Sequence, residues 1–276
     1  MKIISALVSS LFLCCCVVET KKCRSKALGS QTFEPNNEVL NLRNKDQDVF
    51  FWPSLTDHEK EIIQDAFYQI EKRTCLTFNV LEYKPWYHAD RWEVDKPYVL
   101  IRKSKAFTGY SDNIIEEINK RTILYLTDRA LNYPVHNTSR GMTMNQIVRF
   151  MGLKAELLRP DSSFYVQSLI EKSQELPEFI SKQLEWPFDP ESVTVPFDAS
   201  TNHQLTPVCH ARKNKNLGAG QRVGLLTRWD AVKINSMYCP TQIGYADPNK
   251  GPCITERKIN KPTFENNLIQ ENKLKI

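Results

Sequence analysis

Apolar positions recur at Ile63, Ala66, Phe67 and Ile70, the three-and-four spacing of a helix with one buried face, and Thr56 followed by Glu59 supplies a capping-box start. The spacing predicts a helix running to Arg73. The period then changes: Thr74-Cys75-Leu76-Thr77-Phe78-Asn79-Val80 alternates, which predicts a strand with Leu76, Phe78 and Val80 on one side. Tyr98 to Ile101 and Thr122 to Leu126 read as two further strands, with a polar, helix-compatible piece from Ser111 to Lys120 between them. A second helical run lies within Gly141 to Arg159, GMTMNQIVRFMGLKAELLR, where Met144, Ile147, Val148, Met151 and Leu158 mark a buried face and Gly152 interrupts or ends it. Leu169, Ile170, Leu176, Phe179, Ile180 and Leu184 predict a pair of surface helices broken at Pro177. Thr227 with Asp230 opens the last helix, along which Trp229, Val232, the stem of Lys233 and Met237 line one side.

The segments between these elements are as informative. Val49 to Pro53 is an apolar cluster around Phe50, Phe51 and Trp52. Tyr83, Trp86, Tyr87 and Trp92 sit among charges and Pro85, and we read them as a packed loop rather than as a base-stacking surface. At the N-terminus Lys2 precedes a nearly unbroken apolar stretch from Ile3 to Val18, too short to span a bilayer comfortably, and polar Glu19 to Lys22 follow at once. This is the form of a cleaved secretory signal over residues 1–20, with cleavage after Cys16 or near Thr20. Residues 21–48 read as a flexible leader, residues 49–240 as the folded domain, and residues 241–276 as a disordered polar tail.

A hydrophobic content of 41% over 276 residues is enough for a real core, and no second apolar run of membrane length follows the signal. The formal charge of +5 is spread over 37 basic and 32 acidic residues without a long basic run, so no nucleic-acid partner and no membrane span are expected. Export places the cysteines in an oxidising compartment. Cys14, Cys15 and Cys16 leave with the signal, and Cys23, Cys75, Cys209, Cys239 and Cys253 remain, none spaced as a zinc knuckle. Cys253 has Cys23, Cys209 or a second chain as possible partners. Asn137-Thr138-Ser139 is a glycosylation acceptor sequence, read here as part of a loop before the second helix.

The candidate chemistry sits in that second helix. Asn145 and Arg149 lie one above the other on the helical count. Two histidines at that spacing, with a glutamate after the first, would hold zinc and supply a general base. Here the residues are Asn145, Gln146 and Arg149, followed by Gly152, Ala155, Glu156, Arg159, Asp161, Tyr165 and Val166. This run resembles the active-site helix of the astacin family of secreted zinc endopeptidases, whose pattern is His-Glu-x-x-His-x-x-Gly-x-x-His-Glu, then Arg-x-Asp and Tyr-Val. The pattern's zinc histidines fall on Asn145, Arg149 and Ala155, and its catalytic glutamate falls on Gln146. Two other stretches carry the likeness: Thr74-Cys75-x-x-Phe78, and Gly220 to Cys239, similar to the family's closing Gly-x-x-x-Gly-Leu-Ser-x-x-Asp-x-x-x-Ile-Asn ending. At the position of the Met-turn stands Phe197-Asp198-Ala199-Ser200-Thr201-Asn202-His203-Gln204-Leu205, with His203 for the methionine and Leu205 for the final tyrosine.

The resemblance implies an α+β, metzincin-type fold with a twisted mixed sheet and two long helices in the N-terminal half, then a loop-rich C-terminal half ending in a helix. It implies a disulfide between Cys75 and Cys239, whose long loop would stabilise by roughly 5 kcal/mol at most. The family's second bridge, near Tyr110 and Asn132, has neither cysteine here. The leader carries Phe33-Glu34-Pro35-Asn36 rather than the family's zinc-plugging Phe-x-Gly-Asp. No zinc or other cofactor is expected, since amides are poor zinc ligands, Ala155 offers none, and Arg149 is a permanent cation. A substitute site would have to gather His203, Cys209 and His210. Arg149 could instead pair with Glu156 or another carboxylate. The expected function is that of a secreted, catalytically inactive homologue kept for binding a protein or peptide in the extracellular space. The alternatives are an active zinc metalloendopeptidase with substituted ligands, and an extracellular structural component linked through Cys253 or Cys23.

Overall fold

The computed structural model describes residues 42–88, 90, 96–104, 121–169, 181–209 and 216–253. The signal sequence, Cys23, Trp92, the 111–120 piece, residues 170–180 and His210 lie outside the described residues. The sheet holds β1 (Asp46–Phe51), β2 (Thr77–Val80), β3 (Val99–Ser104) and β4 (Thr122–Thr127) in the order β2-β1-β3-β4. All of these described strands run parallel, with Val49 opposite both Val80 and Val99, and Ile101 opposite Leu124. Parallel neighbours need a crossover, and α1 (Asp57–Glu71) provides the one between β1 and β2. Its start is fixed by the capping box read from the sequence: Thr56 Oγ1 accepts from Glu59 N–H and the Glu59 carboxylate accepts from Thr56 N–H.

The apolar cluster at Val49 to Phe51 is the second half of β1, an inner strand, and the folded part begins earlier than residue 49. Leu42 already packs against the main core. Alternation was hard to read there because parallel strands covered on both faces lose their polar side. Val49, Val99, Ile101, Leu124 and Leu126 face Ile62, Ile63, Ala66, Phe67 and Ile70 of α1 and Met144, Ile147 and Val148 of the second long helix. On the opposite face Phe50, Leu81 and Leu100 are covered by Trp52, Tyr83 and Tyr98. Trp86 stacks on Trp52 and Tyr98 and meets Phe50 edge-on, so the described aromatic residues of this loop close the sheet's second face.

A single-turn helix α2 (Asp128–Leu131) leads into α3 (His136–Phe150). This helix starts a turn and a half before Gly141, so the Asn137-Thr138-Ser139 sequence is not a loop. It forms the first helical turn, with Asn137 exposed and Ser139 buried and donating to Ala130 O at 2.6 Å. Gly141 is where α3 crosses the later helix α6 (Ala219–Val223): a Cβ there would lie 2.0 Å from Gln221 O. At the other end Gly152 has φ 98°, Leu153 N–H reaches Val148 O and Gly152 N–H reaches Arg149 O, a Schellman stop that a residue with a Cβ adopts only under strain.

The C-terminal half is loop-rich, with α4 (Ser162–Tyr165), a β5 (Val166–Ser168) and β6 (His203–Leu205) antiparallel pair, α5 (Ser181–Leu184), α6, and α7 (Arg228–Tyr238). The Thr227–Asp230 capping box opens α7, and Cys75 and Cys239 are joined by a disulfide at its end. Cys253 pairs with Cys209. Residues 241–253, assigned to the tail by composition, are therefore part of the folded body. Ala246 is buried beside Trp186, Trp229 and Val232, and Cys253 is buried with Val166, Phe188, Val195, Ala199 and Leu217. Composition misled because Gly, Pro and Asn mark irregular backbone as well as disorder, and a disulfide can hold such backbone without a large apolar face.

Candidate functional site

A cavity of 520 Å³ opens between the end of the sheet and the C-terminal half. α3 contributes Met142, Asn145 and Gln146; the ends of β3 and β4 contribute Ser104, Thr127, Asp128 and Arg129; Pro196, Phe197, Asp198 and Gln221 close the far side. Of the residues singled out from sequence, Asn145 and Gln146 meet here. Arg149, Ala155, His203 and Leu205 are not part of the lining. Leu205 packs on the C-terminal core, and His203 Nδ1 lies 3.3 Å from Ala199 O.

Gln146 is buried and fully engaged. Its Oε1 accepts from Thr127 N–H at 3.0 Å and its Nε2 donates to Thr127 Oγ1 at 2.7 Å. Thr127 Oγ1 also accepts from Ala130 N–H, capping α2. Gln146 thus ties α3 to the C-terminal end of β4, where a parallel sheet presents its ligand-facing loops. Asn145, its neighbour, is different. Its Oδ1 is buried and has no hydrogen-bond partner among the described residues. A buried acceptor left unpaired is costly, on the order of 1–3 kcal/mol.

The charges around the cavity are paired. Glu59 accepts from Lys103 Nζ at 2.6 Å, Asn132 Nδ2 at 2.9 Å and Thr56 N–H at 2.8 Å. Burial pushes its pKa up, but these bonds outweigh burial and bring it down to about 2. Lys103 also reaches Asp128 at 3.5 Å, and Arg129 reaches Asp198 at the same distance while its guanidinium lies over Phe197. Asp128 and Asp198 remain 42% and 48% exposed, so both carboxylates are open to a ligand.

Glu156 does not pair with Arg149 in the way the sequence suggested. It is buried, receives Lys233 Nζ at 2.6 Å and Asp189 N–H at 3.1 Å, and has Arg159 at 3.6 Å. Arg159 in turn grips Asp161 with two hydrogen bonds of 2.8 Å and donates to Trp186 O. Beside them Asp230 accepts from Ser192 Oγ, Val193 N–H and Thr227 N–H, and Asp189 accepts from Thr227 Oγ1 and Glu191 N–H. Burial, and then the neighbouring Asp230 carboxylate, push Asp189 up to about 7; burial also raises Asp230. Helical spacing predicts only the stem of Lys233 inside. In the fold its ammonium is buried too, because Glu156 supplies the counter-charge.

Zinc does not fit these residues. A zinc site needs imidazole, thiolate or carboxylate donors converging on one point. The corresponding positions offer an amide on Asn145, a guanidinium on Arg149 and a methyl on Ala155. Cys209, needed for a substitute site, is spent in a disulfide. Among the described residues no three His, Cys, Asp or Glu side chains gather as a metal site, and no helix is long and apolar enough to cross a membrane.

No family model matches the chain, and no curated protein matches it. Solved structures do align with it. One is high choriolytic enzyme 1, a hatching-enzyme zinc protease from Oryzias latipes (medaka fish), at 15% identity, covering 70% of this chain and 88% of that one with a TM-score of 0.46. Another is myroilysin, at 10% identity, covering 73% of this chain and 96% of that one with a TM-score of 0.44. Likeness at this level says nothing about what the present chain binds or does.

Proposed function

We propose that this chain is a secreted, catalytically inactive member of the astacin-like proteins that binds an extracellular protein or peptide in the cavity between its two halves. One observation supports the proposal: the cavity is lined by Gln146, which stands where the resemblance puts the general base and whose carboxamide is bound to Thr127 through both of its polar atoms. A carboxamide has no proton affinity near neutral pH, so it cannot activate water. An extended peptide laid along the cavity as an added strand is the mode such a cleft favours. The two disulfides and the apolar N-terminal stretch support an extracellular location. A structural role through Cys253-linked multimers has no support, since that thiol is closed within the chain.

The deciding measurement is elemental analysis of the purified secreted protein, run beside a broad peptide-cleavage screen with and without chelator. Substoichiometric zinc and no chelator-sensitive cleavage are expected. Stoichiometric zinc together with cleavage that a chelator abolishes would overturn the proposal in favour of an active peptidase with substituted ligands.

A further inference from the structure

We propose that Asn137 carries an N-linked oligosaccharide and that the sugar is attached before α3 forms. The inference rests on the extracellular location in the reading above and is independent of what the cavity binds. Asn137-Thr138-Ser139 is the single Asn-x-Ser/Thr sequence in the chain. The fold decides whether a sugar can stand there, and when it can be put on.

Room exists at the acceptor nitrogen. Asn137 lies in the first turn of α3 and is exposed, while Thr138 and Ser139 beside it are buried. Its Oδ1 accepts from Arg140 Nη2 at 3.3 Å. An arginine only donates, so the amide oxygen is the end held by Arg140, and Nδ2 has no hydrogen bond among the described residues. A sugar on Nδ2 replaces one amide proton and leaves the Arg140 contact in place. That arginine is itself fixed, with Nη1 on Asp65 at 2.7 Å and Nε on Gly224 O at 2.8 Å. The turn that presents Asn137 is therefore anchored to α1 and to the end of α6, and its exposure is a property of the packed fold.

Ser139 sets the timing. The acceptor sequence is defined by its hydroxyl as much as by its asparagine, so transfer needs both groups within reach at once. In the fold Ser139 is 1% exposed and its Oγ donates to Ala130 O at 2.6 Å, with Leu131 O at 3.2 Å. Thr138 Oγ1 donates to Arg222 O at 3.3 Å. The helical backbone thus sends the asparagine outward and the hydroxyl inward, which makes the folded chain a poor acceptor. Synthesis runs in the helpful order, because Arg222 follows Thr138 by 84 positions and the turn is unlocked until that residue arrives.

The step is a redox-neutral transfer from an oligosaccharide carried on a lipid diphosphate. A bond forms between Asn137 Nδ2 and the anomeric carbon of the first sugar, and the bond from that carbon to the diphosphate oxygen breaks. The lipid diphosphate leaves with the electron pair, and the amide gives up one proton to solvent.

The test expresses the full chain in cultured eukaryotic cells and follows the tryptic peptide from Ala130 to Arg140 by mass spectrometry, in medium and lysate, before and after peptide N-glycosidase. That enzyme turns a glycosylated asparagine into aspartate. An oligosaccharide on most of the secreted chain is expected, with aspartate afterwards at 137 and not at Asn132 in the same peptide. Asn137→Gln removes the acceptor, leaves the buried Ser139 hydroxyl in place, and should give a chain whose gel mobility the enzyme does not change. For the timing, chain made while donor synthesis is blocked is offered to oligosaccharyltransferase and lipid-linked donor, either folded or reduced and unfolded, beside a synthetic peptide of residues 130–140. The unfolded chain and the peptide should be modified at least about tenfold faster than the folded chain. Secreted chain with unmodified Asn137 would overturn the inference and leave the inactive-binder reading standing. Chain confined to the cytosol without sugar would overturn this inference and the extracellular location together. Equal modification of folded and unfolded chain would overturn the timing. Stoichiometric zinc with chelator-sensitive cleavage would refute the inactive-binder reading alone, since a sugar on Asn137 is found or missed by a separate measurement.

Discussion

Replacing Lys233 by methionine isolates what its buried ammonium does. Lys233 is 0% exposed, Glu156 is 1% exposed, and their charged atoms are 2.6 Å apart. Methionine keeps most of the stem's volume, so the lost contact is the charge and its hydrogen bond. Glu156 would retain the Asp189 N–H and, at 3.6 Å, the Arg159 guanidinium. Breaking a buried pair by removing one partner costs ~3–5 kcal/mol, and the remaining donors place this case near the lower end, ~3 kcal/mol. With a urea dependence of about 2 kcal/mol per molar, the unfolding midpoint should fall by ~1.5 M, read by tryptophan fluorescence with both disulfides intact. Adding Glu156→Gln to Lys233→Met removes the stranded charge while keeping an acceptor for Asp189 N–H. The double variant should therefore recover more than half of the loss. A single variant within ~1 kcal/mol of the parent, or a double variant less stable than the single one, would refute the reasoning that charge pairing rather than packing keeps Lys233 inside.

Gly141→Ala should destabilise despite lying mid-helix, where alanine normally gains ~0.5–1 kcal/mol over glycine. The new Cβ would stand 2.0 Å from Gln221 O, so α3 and α6 must part, and a loss of at least ~2 kcal/mol in thermal or urea unfolding is expected. Gln146→Ala should cost ~1–3 kcal/mol by leaving Thr127 N–H without its acceptor, while Gln146→Glu, which still accepts it but buries a carboxylate without a cation, should also lower stability and confer no cleavage in the peptide screen. Asp189 sets a pH dependence of opposite sign to the usual carboxylate. Its folded value of about 7 exceeds the ordinary 3.8, through burial first and then Asp230 and Glu156, opposed by Lys233 and the Thr227 hydroxyl. Its contribution to stability is full below about pH 4 and is lost as the pH rises to about 7, so Asp189→Asn should flatten this slope in urea midpoints measured from pH 4 to 8.

Local pattern was enough for much of the scaffold. The capped helix from Thr56, the alternation through Leu76, Phe78 and Val80, the stop at Gly152 and the Thr227–Asp230 cap all depend on residues within a few positions of one another, and each is found in the fold. Gln146 was singled out only through the resemblance, and in the fold it lines the cavity. Partners distant in the chain were not readable from pattern, and the Cys75–Cys239 bridge, across 164 residues, was expected only from the resemblance. Gln146 meets Thr127 across 19 residues, Glu156 meets Lys233 across 77, and Cys209 meets Cys253 across 44. Periodicity says which way a side chain faces, whereas the identity of what it faces depends on how elements pack, and an acceptor such as Asn145 Oδ1 is unpaired only because no such partner was brought to it. Sequence therefore determined the elements and the residue types at positions 145, 146 and 149 of the helix, while tertiary packing alone decided which charges could be buried and which polar atom was left buried without a partner.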